Sequence, residues 1–146
     1  MIPVKKLTAI LLLFAIAVCL CGCGGKTAIT SEDFASRMRE QGLVVEKYEG
    51  ERGYFCYPKS GNCLVMFMEL QDEDYAQAAF DRFLERSASE TGSVTEKSAK
   101  HYAFYSKETD STLYMTACVD NTFLYGEASL EDSDTLISIF KTTGYK

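Results

Sequence analysis

The sequence predicts an α+β domain, a largely antiparallel sheet of about five strands with three helices packed on it. Three observations predict it. Apolar residues recur at helical spacing in three separated segments, and strand-like runs joined by short turn sequences lie between those segments. No strand–helix pair repeats as a parallel βαβ series, so a doubly wound sheet is not expected.

The elements follow in order. The first helix spans about Ser31–Gln41, with Thr30 or Ser31 as cap and Glu32 and Asp33 at its positive end. Phe34, Ala35 and Met38 form its apolar stripe, and Gly42 stops it with Leu43 placed to fold back. Leu43–Tyr48 reads as a strand and Glu49–Gly53 as a polar turn. Tyr54–Tyr57 and Cys63–Leu70 are strands joined by the turn formers Pro58 to Asn62. In Cys63–Leu70 both alternating faces are apolar until Glu69, which suits a central strand covered on both sides over part of its length.

The second helix, from near Asp72 to about Ser89, is the clearest element. Ala76, Ala79, Phe80, Phe83 and Leu84 share one face, acids open it, and Arg82 and Arg86 come late. Ser87–Lys100 is a polar loop with a short strand at Val94–Glu96. Strands at His101–Ser106, Thr112–Val119 and Thr122–Ala128 then form a meander. Asp120-Asn121 favours a tight hairpin because both residues tolerate positive φ. Ser129 to Thr143 closes the chain as a helix striped by Leu136, Ile137 and Phe140 and ended by Gly144.

Ahead of this domain lies a different kind of sequence. Lys5 and Lys6 precede Leu7–Leu20, an uncharged run of 14 residues. That is short of the roughly 20 residues a spanning helix needs, and it suits the core of a signal peptide. The run ends in Leu20-Cys21-Gly22-Cys23. This resembles the lipobox of bacterial lipoproteins, with an aliphatic residue at −3, a small one at −1, then the acceptor cysteine. Cys19 and Cys21 have bulky Val18 and Leu20 at −1, so Cys23 fits best.

The resemblance implies cleavage by a type II signal peptidase after Gly22 and a diacylglyceryl or palmitate-type anchor on Cys23. Two acyl chains hold a protein to a membrane durably, each buried methylene contributing about 0.8 kcal/mol. The expected organisation is then 1–22 signal peptide, 23–30 lipidated tether and 31–146 α+β domain, at the extracytoplasmic face of the cell membrane. The stretch Thr27–Phe34 with Met38 and Gly42 is similar to the opening of small uncharacterised lipoproteins of clostridia-like Gram-positive bacteria. Val119–Thr122 and Phe140–Tyr145 are similar to their hairpin and final helix. That likeness implies a location and a fold, and no activity.

Of 146 residues, removal of 22 leaves 124, enough for one domain. Losing Lys5 and Lys6 takes the net charge from −6 to −8. An acidic domain repels phosphate backbones, so no nucleic-acid partner is expected.

Residues that could carry chemistry are few. Cys56 and Cys63 flank a hairpin-like turn sequence in a chain expected to be exported, so a disulfide between them is expected, with a redox pair or two free thiols as the other readings. Cys118 reads as a half-buried strand residue. His101, the single histidine, reads as an exposed residue at a strand start, since a catalytic base needs a placed partner. Asp72-Glu73-Asp74 and Glu131-Asp132-Ser133-Asp134 sit where helix N-termini favour acids and lack the pattern of a calcium loop. No zinc spacing or nucleotide loop is present, so no catalytic residue, metal or cofactor is assigned. Tyr48, Tyr54, Tyr57, Tyr102, Tyr105, Tyr114 and Tyr125 fall on expected strands and could form a binding face or ordinary cross-strand pairs.

The reading is a membrane-anchored, non-enzymatic binding or interaction module whose partner is an envelope protein or ligand. The alternative is an envelope thiol-redox accessory or small enzyme using Cys56 and Cys63.

Overall fold

The computed structural model describes residues 25–146. The expected signal peptide, 1–22, and the expected lipidation site, Cys23, lie outside the described residues. The chain runs α1 (Ser31–Glu40), β1 (Val44–Lys47), β2 (Gly53–Tyr57), β3 (Cys63–Glu69), α2 (Glu73–Ser87), β4 (Ser93–Ala99), β5 (Tyr102–Glu108), β6 (Thr112–Val119), β7 (Thr122–Ser129), a 3-10 turn (Leu130–Asp132) and α3 (Ser133–Thr143).

The α+β class holds, in a single domain with three helices, but the sheet has seven strands where about five were expected. Their order is β1-β2-β3-β7-β6-β5-β4 and every pairing is antiparallel. Two meanders, β1–β3 and β4–β7, are joined by β3 lying against β7 from Cys63↔Ala128 to Glu69↔Thr122. The strands with the weakest apolar pattern are the two edges. β1 has four residues, and β4 is polar and exposed along its whole length. An edge strand needs only one ladder of hydrogen bonds, so a polar sequence can occupy it.

Helices α1 and α3 cover one face of the sheet and α2 crosses the other. In α1 the Thr30 hydroxyl accepts from the Asp33 N–H at 3.1 Å, and Phe34, Ala35 and Met38 are fully buried. Gly42, at φ 77°, turns the chain out of the helix, and the Leu43 N–H returns to the Met38 carbonyl. The large core under α1 and α3 includes Val65, Phe67, Phe104, Leu124 and Phe140, with Phe34 stacked on Phe67 at 4.7 Å.

The expected tether over residues 23–30 is in part docked. Ala28 and Ile29 pack against this core, the Ile29 N–H donates to the Tyr145 hydroxyl, and the Lys26 ammonium donates to the Lys146 carbonyl. Their apolar side chains have a buried surface to join, so the chain does not stay free of it.

Two helix ends differ from expectation. The last helix begins at Ser133, because Ser129 still belongs to β7 and Asp132 uses its carboxylate elsewhere. That carboxylate accepts from the Asn62 N–H at 2.6 Å and the Ser129 hydroxyl at 3.0 Å, clamping the β2–β3 turn. Helix α2 stops at Ser87, whose carbonyl accepts from the buried ammonium of Lys107 on β5. A cation at a helix C-terminus is favourable, and here it also satisfies a terminal carbonyl. Lys107→Met is expected to lower stability by about 1–3 kcal/mol in urea unfolding.

Candidate functional site

Because α2 lies over β6 and β7, it leaves the outer face of β3 open. Its buried side chains Ala76 and Phe80 pack with Tyr105, Cys118 and Phe123 in a second, smaller core. The alternation of β3 places Cys63, Val65 and Phe67 in the large core and Leu64, Met66 and Met68 on the α2 face. Leu64 is 39 % exposed, and Met66 and Met68 are half-buried. The expected two-sided cover of this strand is therefore complete on one side only.

The result is a half-open groove of about 760 Å³ between α2 and the β3–β7 pair. Met66, Met68 and Tyr125 form its floor. One stripe of α2 forms its wall, where Tyr75, Ala78, Ala79, Arg82, Phe83 and Arg86 recur at helical spacing. Phe83 packs on Tyr125 at 4.8 Å and meets Tyr105 edge-on at 6.4 Å, which closes the inner end. The wall is apolar except at Arg82, Glu85, Arg86 and Ser87 near the C-terminal half of the helix. The Tyr125 hydroxyl donates to the Glu127 carboxylate. Burial first, then that carboxylate, push the phenol above its ordinary range, while the nearby Arg86 cation pulls the other way. The phenol stays un-ionised, and Arg86 lies within electrostatic reach of the groove floor.

A volume of this size falls in the range of small-molecule sites, which are mainly apolar with a few placed polar groups. A pair of methionines on the floor adds adaptability, since the unbranched thioether repacks easily around different shapes. A second recess of about 530 Å³, lined by Tyr57, Asn62, Leu64, Glu127 and Ser129, is more polar and shallower in character.

The cysteines fall elsewhere. Cys56, Cys63 and Cys118 are all buried free thiols, so the expected Cys56–Cys63 disulfide is not formed. The register explains it. Cys56 stands opposite Val65, which puts Cys63 on the same face but two residues along. Such a diagonal measures about 7–8 Å. A disulfide rarely spans more than about 6.8 Å between Cα atoms. Burial pushes Cys56 up to about 12, helped by Cys63, and pushes Cys63 up to about 11, helped by Asp132. Cys118 rises to about 11, again chiefly by burial. Thiols so disposed are poor nucleophiles at neutral pH.

These shifts predict a pH dependence with a definite sign. Each folded value lies above the ordinary 9.0. The thiols' contribution to stability is therefore complete below about pH 9 and is lost as pH rises toward 11–12. A urea midpoint should fall across that alkaline window, and Cys56→Ala/Cys63→Ala should flatten the fall. In denaturant, the number of reactive thiols assigned to these three residues should be the same with and without prior reduction. A pair appearing only after reduction would show a bond.

The other sequence candidates divide. Tyr54 and Tyr102 are buried under α1 and α3 and Tyr105 under α2, while Tyr57, Tyr114 and Tyr125 lie half-exposed on the open face. Tyr48, just beyond the end of β1, is exposed and packs on Phe55. The tyrosines thus form no single binding surface. His101 is not on a strand. It occupies the β4–β5 turn at φ 60°, and its Nδ1 lies 2.7 and 2.8 Å from the two carboxylate oxygens of Glu73. With Asp120, at φ 48° in the neighbouring β6–β7 turn, it brings three metal-ligand types within 4.8 Å of one another, all exposed. A hydrogen bond between the His101 ring and the Glu73 carboxylate suffices to account for that contact.

With this geometry in place, the chain can be set beside known proteins. In fold it is similar to a GTP binding regulator from Thermotoga maritima known from its crystal structure, with a TM-score of 0.54 over 83 % of this chain and 93 % of that one. Sequence identity is 5 %, so the likeness is one of fold alone. No protein-family model and no curated protein matches the sequence.

Sequence reasoning found the helix and the strands that build the groove, but not the groove. Its signals were present: Met66 and Met68 alternate on one face of β3, and Arg82 and Arg86 share a stripe with Ala78 and Ala79.

Proposed function

We propose that the chain is an extracytoplasmic lipoprotein, anchored in the cell membrane through acyl chains on Cys23, whose domain is a non-enzymatic binding module. Its ligand site is the groove between α2 and β3. The observation that carries the second half is the groove itself, a mainly apolar slot of about 760 Å³ left open beside α2 on the sheet face that the helix covers only in part. The anchor rests on the leader, where a charged start, a 14-residue apolar run and Leu20-Cys21-Gly22-Cys23 stand in the order a lipobox requires. The buried, un-ionised thiols of Cys56 and Cys63 give a redox role no support.

Two experiments test the halves separately. In a bacterial host fed an alkynyl palmitate, the full chain should take up label in the membrane fraction. Cys23→Ala should lose the label and accumulate as precursor, and label retained in that variant would overturn the assignment. For the groove, the uncharged dye N-phenyl-1-naphthylamine should brighten on binding residues 25–146, which hold the seven-stranded sheet, the three described helices and both cores. Ala78→Trp, on the exposed helix surface lining the slot, should abolish the signal. A dye response indifferent to that change would place binding elsewhere.

A further inference from the structure

Resting on that reading of the groove, we infer that its ligand is a single-chain anionic amphiphile, an acyl chain bearing a carboxylate or phosphate head. Two arginines, unpaired among the described residues, stand out on the rim of an apolar slot in an acidic chain. The chain carries 21 acidic and 15 basic residues, yet the helix rim of this apolar slot presents Arg82 and Arg86 one turn apart. Among the described residues neither has a carboxylate within ion-pair distance, whereas Arg52 and His101 do. Two like charges at this spacing repel mildly in an isolated helix, so the pair is relieved by an anion placed between them. Glu85 lines the same rim and Glu127 is bonded to the Tyr125 hydroxyl at the floor, so the local charges balance. An anion is favoured by the two unpaired guanidinium groups themselves, not by a net positive charge. A guanidinium fork matches carboxylate and phosphate oxygens alike, so either head fits.

The floor suits the other end of such a ligand. Met66, Met68 and Phe123 bring no charge, and Phe83 on Tyr125 closes the slot inward. An acyl chain laid along β3 would therefore bury its methylenes on the thioethers with its head between the two arginines. A folded peptide is the poorer occupant. A helix with its side chains is about 10–12 Å across, and a stable protein partner buries about 800 Å² on each side. One helix flank and two strands do not offer that.

The test uses residues 25–146 with laurate below its micellar concentration, and monolaurin, which has the same chain and no charge. Titration calorimetry should show laurate binding at least about ten-fold tighter than monolaurin, the scale of one or two charge-assisted hydrogen bonds. Arg82→Ala/Arg86→Ala should bring laurate to the monolaurin level while the unfolding curve stays unchanged, since both side chains are exposed. Arg82→Lys/Arg86→Lys should keep most of the preference. Ala78→Trp should remove both ligands. Equal binding of laurate and monolaurin would overturn the anionic assignment and leave the groove as a binding site, which the neutral dye reports independently. Self-association abolished by Ala78→Trp would name a second copy as the occupant and overturn it too.

Discussion

Gly126→Val is expected to be among the most damaging single changes in the domain, lowering stability by about 3 kcal/mol or more. Gly126 sits in the middle of β7, between Val65 of β3 and Met115 of β6, directly beneath α3. A Cβ there would lie 2.3 Å from the Leu136 Cδ1 and 3.0 Å from the Val65 Cγ2. Both neighbours are fully buried, so neither has space to retreat without lifting α3 from the sheet. Urea unfolding measures the loss. Leu136→Ala in the same chain should recover part of it, because removing the Leu136 methyls vacates the clash. Additive losses in the double variant would contradict this account of why glycine stands there.

Tyr145→Ala is expected to cost about 3–5 kcal/mol. The side chain is fully buried against Phe67, 6.2 Å between ring centroids, although it is the penultimate residue of the chain. Its hydroxyl shares a hydrogen bond with the Thr122 hydroxyl and accepts from the Ile29 N–H, and its backbone carbonyl accepts from the Tyr102 hydroxyl. One residue thus ties the entry segment, the β6–β7 hairpin and α3 together. Truncation would open a cavity and leave the Ile29 N–H short of a partner, while the Thr122 hydroxyl would keep the Val119 carbonyl. Tyr145→Phe keeps the ring and should lose only about 1 kcal/mol. Equal losses for the two variants would show that the hydroxyl, not the packing, carries the effect.

Where a local rule governs, the sequence was legible. Gly42 ends α1 in the left-handed conformation its lack of a side chain permits, and Asp120 takes positive φ in the hairpin expected for Asp120-Asn121. The stripes of α1 and α2 were readable from spacing alone. Other features depend on pairings no local pattern states. His101 adopts the same left-handed turn as Asp120, but a Lys-His pair does not announce a turn. The diagonal offset of Cys56 and Cys63 comes from the register set by the Pro58–Asn62 turn, which leaves Cys63 two residues away from the position opposite Cys56. The polar β4 is a strand because β5 offers it an edge, not because its residues favour one. The groove is harder still. It exists because α2 covers β6 and β7 while passing clear of β3, a placement set by the crossover from β3 to the far edge of the sheet.

Amide chemical-shift mapping of residues 25–146 against laurate tests the site most directly. The perturbed resonances should cluster at Met66, Met68, Ala78, Phe83 and Tyr125, with the Arg82 and Arg86 side-chain signals moving in parallel. Shifts gathered instead around Asn62 and Ser129, or none at concentrations below the micellar threshold, would contradict the assignment of this groove as the binding site.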